Sequence, residues 1–124
     1  MNQTISAQNA PAAVGPYCHA KLCGNTLYTS GQLGLVPATG KLAEGVEAQA
    51  RQALDNLGAV LNAAGMDYAD VVKTTVFLAD IKDFAAINAI YAEYFKGEAP
   101  ARSCVQAGAL PMGGAFEIEC IAVK

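Results

Sequence analysis

Pro100–Lys124 reads PARSCVQAGALPMGGAFEIECIAVK, and the arrangement of its charges decides how the rest of the chain is assembled. It contains two apolar-rich strand candidates, Ala101–Val105 and Phe116–Val123, joined by a Gly/Pro-rich connection. Strand alternation puts Arg102 and Cys104 on one face of the first. In the second, Phe116, Ile118, Cys120 and Ala122 form an apolar face, while Glu117 and Glu119 share the other at a spacing of ~6.6 Å. Arg102 is the only arginine besides Arg51. Burying an unpaired charge is costly, so charges in such strands either pair with one another or meet a ligand. The first alternative is an Arg102–carboxylate pair that sets strand register. The second is a small anion site with an acid/base group. In it an arginine fork grips a carboxylate at two points, and a glutamate shielded from water has its pKa raised and exchanges protons near neutrality. Alternation by itself does not choose between Glu117 and Glu119.

Working outward, VVKTTVFL at Val71–Leu78 is β-branched and apolar, as a central strand should be. Lys82–Phe95 follows as a helix with Phe84, Ile87, Tyr91 and Phe95 on one face. Asn88 falls on that same face. A buried amide without partners costs roughly 1–3 kcal/mol, so Asn88 meets backbone, water or a ligand. Upstream, Glu44–Ala64 repeats apolar residues at steps of three and four and stops at Gly65. Arg51 and Asp55, four apart on its outer face, are expected to pair weakly. Tyr17–Leu22 and Leu27–Leu33 read as strands joined by a Gly24-Asn25 hairpin turn, and residues 1–16 as an extended arm. Gly31 inside the second strand marks either the strand's end before the loop Gly34–Gly40 or a bulge where a ligand nears the backbone.

The order strand, strand, helix, strand, helix, strand, strand specifies an α+β domain over residues 1–124, a single mixed β-sheet with two helices on one face. The other face then has no cover from its own chain. Composition points the same way: 53% of the 124 residues are hydrophobic and only 15% charged, against about 25% charged in average soluble domains. Such a chain is expected to bury surface against further copies of itself. No apolar run approaches the ~18 residues of a spanning helix, and MNQTISAQNAPAA is not a secretory pattern, so a cytoplasmic location is expected. The net charge of −3 and the scattered Lys and Arg argue against nucleic-acid binding. Four unpaired-looking cysteines and one histidine, His19, without a C-x-x-C pair, argue against a metal site and for buried reduced thiols. One histidine also leaves few partners for nucleophilic catalysis.

GPY at Gly15–Tyr17, TSGQ at Thr29–Gln32, QARQALDNL at Gln49–Leu57, VVKTTVFL, PARSCV at Pro100–Val105 and FEIECIAV together resemble the Rid family, the YjgF-like reactive-intermediate (enamine/imine) deaminases. The resemblance spans essentially the whole chain. It implies a chorismate-mutase-like fold, a trimer with sheets inward and sites between subunits, and no cofactor or metal. The implied reaction is hydrolysis of 2-aminoacrylate and related enamines or imines to 2-keto acids and ammonia. It also implies roles: Arg102 for the substrate carboxylate, Glu117 for water and protons, Tyr17, Ser30 and Asn88 for the pocket lining, and backbone at Gly31 and Cys104 for substrate contact. The alternative use of such a site is capture of small carboxylates without turnover; ribonuclease or translation-inhibitor activity, attributed to some relatives, is opposed by the acidic charge. Two features depart from the family pattern: Phe116 stands where an aliphatic residue is expected, and the connection Lys96–Ala99 is short.

Overall fold

Phe116–Val123 becomes the strand on which the sheet is built. The computed structural model describes residues 2–124. The strands are β1 (Asn2–Ile5), β2 (Ala20–Cys23), β3 (Thr26–Thr29), β4 (Gln32–Leu33), β5 (Leu35–Val36), β6 (Lys41–Leu42), β7 (Val71–Leu78), β8 (Ala101–Gln106) and β9 (Phe116–Val123); the helices are α1 (Val46–Ala63) and α2 (Phe84–Tyr94). Seven strands form one mixed sheet in the order β1-β2-β3-β9-β7-β8, with β4 also paired to β9. All pairings in it are antiparallel except β7–β8. That parallel pair is joined through α2, the kind of crossover that parallel neighbours need.

Alternation along β9 sets the layers. Phe116, Ile118 and Ala122 are fully buried, as are Val76 and Leu78 of β7 and Leu27 of β3, against Leu54, Leu57 and Leu61 of α1. Burial of such side chains is worth roughly 1.5–3 kcal/mol each, enough to lock the register, because a one-residue slip would turn every one of them outward. Glu117, Glu119, Ile121 and Val123 stand on the opposite, uncovered face, together with half-exposed Tyr28 and Val105.

Several boundaries differ from expectation for physical reasons. Residues 2–5 of the expected arm form β1, which pairs along β2. The first expected strand begins at Ala20, leaving Tyr17 in the preceding loop. The loop Gly34–Gly40 contains β5, which pairs with β6 as a separate small hairpin. Leu27–Leu33 is two strands. β3 and β4 both run along β9, but Tyr28 opposes Ile121 and Gln32 opposes Ile118, so one extra residue is accommodated between them. Helix α2 starts at Phe84, after a 3-10 turn over Ile81–Asp83 whose first amides are met by Gln106 and Asp80 side chains. Arg51 does not pair with Asp55. It reaches across to α2 and makes two bonds to Glu93, at 2.8 and 3.0 Å, while Asp55 accepts from the Tyr94 hydroxyl at 2.9 Å. Packing of the helices side by side offers Arg51 a bidentate partner that its own helix cannot.

Candidate active site

The irregularity between β3 and β4 is where the chain builds a pocket. Gly31 lies at the bulge, and the space a Cβ would take there is filled by the carboxylate of Glu117. A side chain at position 31 and Glu117 in its present rotamer are mutually exclusive. Glu117 shares its face with Leu33, its partner across the β4–β9 pair. Both line a cavity of about 460 Å³ whose apolar wall includes Val14, Leu35 and Met112. Burial in this wall raises the Glu117 carboxyl above its ordinary pKa, and the neighbouring charge of Glu119 adds to the effect. Glu119 itself is exposed and is not among the residues lining the cavity.

Three further residues on the cavity surface come from the first third of the chain. Tyr17 is half exposed at the mouth, in a tight turn closed by its amide on the Gly15 carbonyl at 2.8 Å. Ser30 is anchored by its hydroxyl on the Cys18 carbonyl at 2.6 Å and by its amide on the His19 carbonyl at 2.9 Å. His19 is buried, and both ring nitrogens are used. Nδ1 accepts from the Ala7 amide at 2.9 Å, which leaves Nε2–H to donate to the Pro11 carbonyl at 2.8 Å. The histidine therefore pins the segment that carries Pro11, Ala12 and Val14 over the cavity.

Arg102 and the other two expected site residues lie elsewhere. Arg102 opposes Thr74 and Cys104 opposes Val76 across the β7–β8 pair, on the face that α2 covers. The Arg102 guanidinium carbon sits 4.8 Å from the Tyr91 ring centroid and 5.4 Å from that of Phe84. Asn88 is half-buried on α2, between those two rings along the helix stripe. The Cys104 thiol is raised in pKa by burial against the opposing pull of Arg102, which keeps it a thiol.

Register gives the separation. Arg102 lies level with Thr74, Thr74 with Cys120, and Glu117 is three residues further along β9. Two strand spacings and three strand residues place the two Cα atoms about 14 Å apart, with side chains on opposite faces. The first of the two alternatives, an Arg102–carboxylate pair, is thus absent among the described residues, where the one ion pair is Arg51–Glu93. Within one chain, Glu117, Gly31, Ser30 and Tyr17 are brought together, and Arg102, Asn88 and Cys104 form a second group.

Some residues that shape the pocket were not singled out from the sequence. Gln49 and Asn56 are buried amides on the apolar side of α1. Gln49 accepts from the Ala115 amide at 2.8 Å, and Asn56 donates to the Leu33 and Leu35 carbonyls at 3.0 and 2.9 Å, so the helix holds the cavity wall by its backbone. Two amides one heptad apart on an apolar stripe were the available signal, the same one that drew attention to Asn88. Met112 had none: it takes a left-handed conformation, φ 60 and ψ 16, at the cavity rim, a strain of roughly 1–2 kcal/mol for an L side chain. Phe116, the departure noted above, is fully buried on the helix side and cannot reach the cavity.

The model of the family described as endoribonuclease L-PSP matches residues 7–124. The chain belongs to the endoribonuclease L-PSP family. A relative from Capra hircus named 2-iminobutanoate/2-iminopropanoate deaminase is 53% identical over 125 residues, covering 100% of this chain and 91% of its own length. The crystal structure of the YjgF gene product from E. coli superposes with a TM-score of 0.95 at 48% identity, covering 98% of each chain. That of E. coli TdcF with bound serine gives 0.95 at 42% identity, again with 98% of each chain covered. Membership of the L-PSP family agrees with the YjgF-like resemblance carried by PARSCV and FEIECIAV. No helix among the described residues is long and apolar enough to cross a membrane.

Proposed function

We propose that this chain hydrolyses 2-imino acids, formed from 2-aminoacrylate-type enamines, to 2-keto acids and ammonia. The carrying observation is the desolvated Glu117 carboxyl, set over Gly31 in an apolar cavity, in a family whose relatives include named 2-iminobutanoate/2-iminopropanoate deaminases. Protonation of the enamine on carbon gives the iminium. Glu117 takes a proton from water as the oxygen adds to the C=N carbon, forming a carbinolamine. It then returns that proton to the nitrogen. As the C–N bond breaks and ammonia leaves, the carbinolamine hydroxyl closes to C=O and gives its proton to solvent water, which offsets the proton taken up on carbon, so the carboxyl ends as it began. A group whose pKa lies above the usual carboxylate range gives and takes protons more evenly near neutral pH, and such transfer contributes about 10²–10⁴-fold. Ser30 and Tyr17 line the water and substrate space.

Arg102 would hold the substrate carboxylate, and the opposed orientations of Arg102 and Glu117 within one chain support a site to which two copies contribute. Arg102 sits on β8, an edge strand of the sheet, where a neighbour can approach. The uncovered sheet face carrying Glu117 supplies the other half. A homotrimer with its sheets inward, as the sequence resemblance implies, brings one chain's edge to the next chain's cavity. The four free thiols suit a reducing compartment such as the cytoplasm.

The test is release of pyruvate when the protein meets 2-aminoacrylate generated in situ by a serine or cysteine lyase. Faster release than in buffer, lost in Arg102→Ala and in Glu117→Gln, is expected; an unchanged rate with the unmutated protein would sink the proposal. A solved relative carries bound serine, which motivates a second reading in which the cavity of this chain captures small carboxylates without turnover. Calorimetric binding of 2-ketobutyrate with no acceleration of the reaction would select that reading.

A further inference from the structure

Arg102 has no carboxylate partner among the described residues of its own chain, yet it is not loose. Its guanidinium lies over two aromatic rings, Tyr91 at 4.8 Å and Phe84 at 5.4 Å, both within the ~6 Å range of cation–π attraction. The Tyr91 ring is in turn fixed by two contacts. Its hydroxyl shares a 2.7 Å hydrogen bond with Oγ1 of Thr74, which is fully buried. Phe95 packs against it at a centroid distance of 4.5 Å. Thr74 is also the residue directly opposite Arg102 in the β7–β8 register. Thr74, Tyr91 and Arg102 therefore close a small loop through a strand, a helix and the next strand. Aromatic faces attract the cation but offer its N–H groups no acceptor comparable to a carboxylate, so the donors of the fork remain available.

We propose that Tyr91, assisted by Phe84, is a positioning residue that presets the Arg102 guanidinium for the carboxylate of the substrate. This rests on the reading of Arg102 as the carboxylate clamp. A free arginine must freeze several torsions when it binds; one already held between rings does so at folding, and the binding step is relieved of that loss. Because the carboxylate is held alike in the ground and transition states, the aid is uniform. It should lower KM and leave kcat nearly alone. It should also vanish for an imine that lacks the carboxylate.

Steady-state kinetics on four variants of the full chain test this, each with its thermal unfolding recorded. Tyr91→Leu and Phe84→Leu are expected to raise KM for 2-iminopropanoate about 3- to 30-fold, the range for partly to fully desolvated cation–π contacts, with kcat within about threefold. Tyr91→Phe keeps the ring and should hold KM within about threefold of the unmutated value, although the Thr74 hydroxyl loses its partner. Phe84 is 38% exposed, so its replacement leaves no sealed cavity and remains informative if Tyr91→Leu folds poorly. A merely structural role would lower the active fraction, and hence kcat, at unchanged KM; that pattern in folded Tyr91→Leu or Phe84→Leu overturns the inference while Arg102→Ala still loses substrate binding. If Arg102→Ala itself leaves KM and rate unchanged, the clamp reading falls, and the positioning role with it.

Discussion

A site divided between copies has a numerical signature in mixed assemblies. Arg102 and Glu117 of one chain are about 14 Å apart at Cα by strand spacing and register, on opposite faces of the sheet, whereas the carboxylate and imine carbons of a 2-imino acid are directly bonded. One small substrate cannot meet both groups of the same chain. Suppose Arg102→Ala and Glu117→Gln chains, each inactive alone, are unfolded together in equal amounts and refolded. A working site then needs an intact Arg102 from one chain and an intact Glu117 from its neighbour. In a cyclic assembly with random incorporation this occurs at about one quarter of sites. Pyruvate release per site should recover to about that fraction of the unmutated rate. A chain carrying both substitutions, mixed equally with unmutated chains, should also leave about a quarter of the sites active if they are shared, against about half if each chain is self-sufficient. No recovery in the first mixture together with half activity in the second would refute the divided site. Sedimentation of each mixture checks that the copies have reassembled.

The pH dependence follows from Glu117. Burial and Glu119 raise its pKa, so the acid limb of kcat/KM should lie above the ordinary glutamate value of about 4.3, and Glu117→Gln should lose that limb along with about 10²–10⁴-fold in rate. The linkage has a definite sign: a raised folded pKa favours the folded state fully below the unfolded pKa, and that advantage disappears as pH rises through the folded value. Urea titration at neutral pH should accordingly find Glu117→Gln more stable than the unmutated protein. Gly31→Ala places a Cβ where the Glu117 carboxylate now lies; kcat should fall at least about tenfold, as expected for a displaced proton-transfer group, with only a small change in thermal midpoint. An equal loss of activity and folded protein would contradict the overlap. His19→Ala removes the acceptor of the buried Ala7 amide and the donor to Pro11, and urea unfolding should show a loss of roughly 1–3 kcal/mol.

Periodicity carried much of the fold. The stripe of α1, the β-branched run of β7 and the alternation in FEIECIAV each repeat a local geometry, and local geometry is written in neighbouring residues. Breaks in that periodicity were also informative: Gly31 inside a strand and Glu117 in an apolar run proved to be in contact. Polar residues whose purpose is to meet distant backbone were harder to read. Gln49 and Asn56 gave no reason to prefer one loop over another, and Arg51 chose Glu93 over the nearer Asp55 only because the two helices lie side by side.

By itself, the order and spacing of residues determined the α+β class, the uncovered sheet face and the identity of the candidate site residues, because these depend on face alternation, composition and motif. What tertiary structure alone decided is how those residues are shared out. Arg102 and Glu117 alternate independently on two strands, and nothing in either strand relates one face to the other. That relation is set by β7, which lies between them and pairs Thr74 with both Arg102 and Cys120. Through it Arg102 turns toward α2 and Glu117 toward the open face, so that within one chain the two side chains point apart.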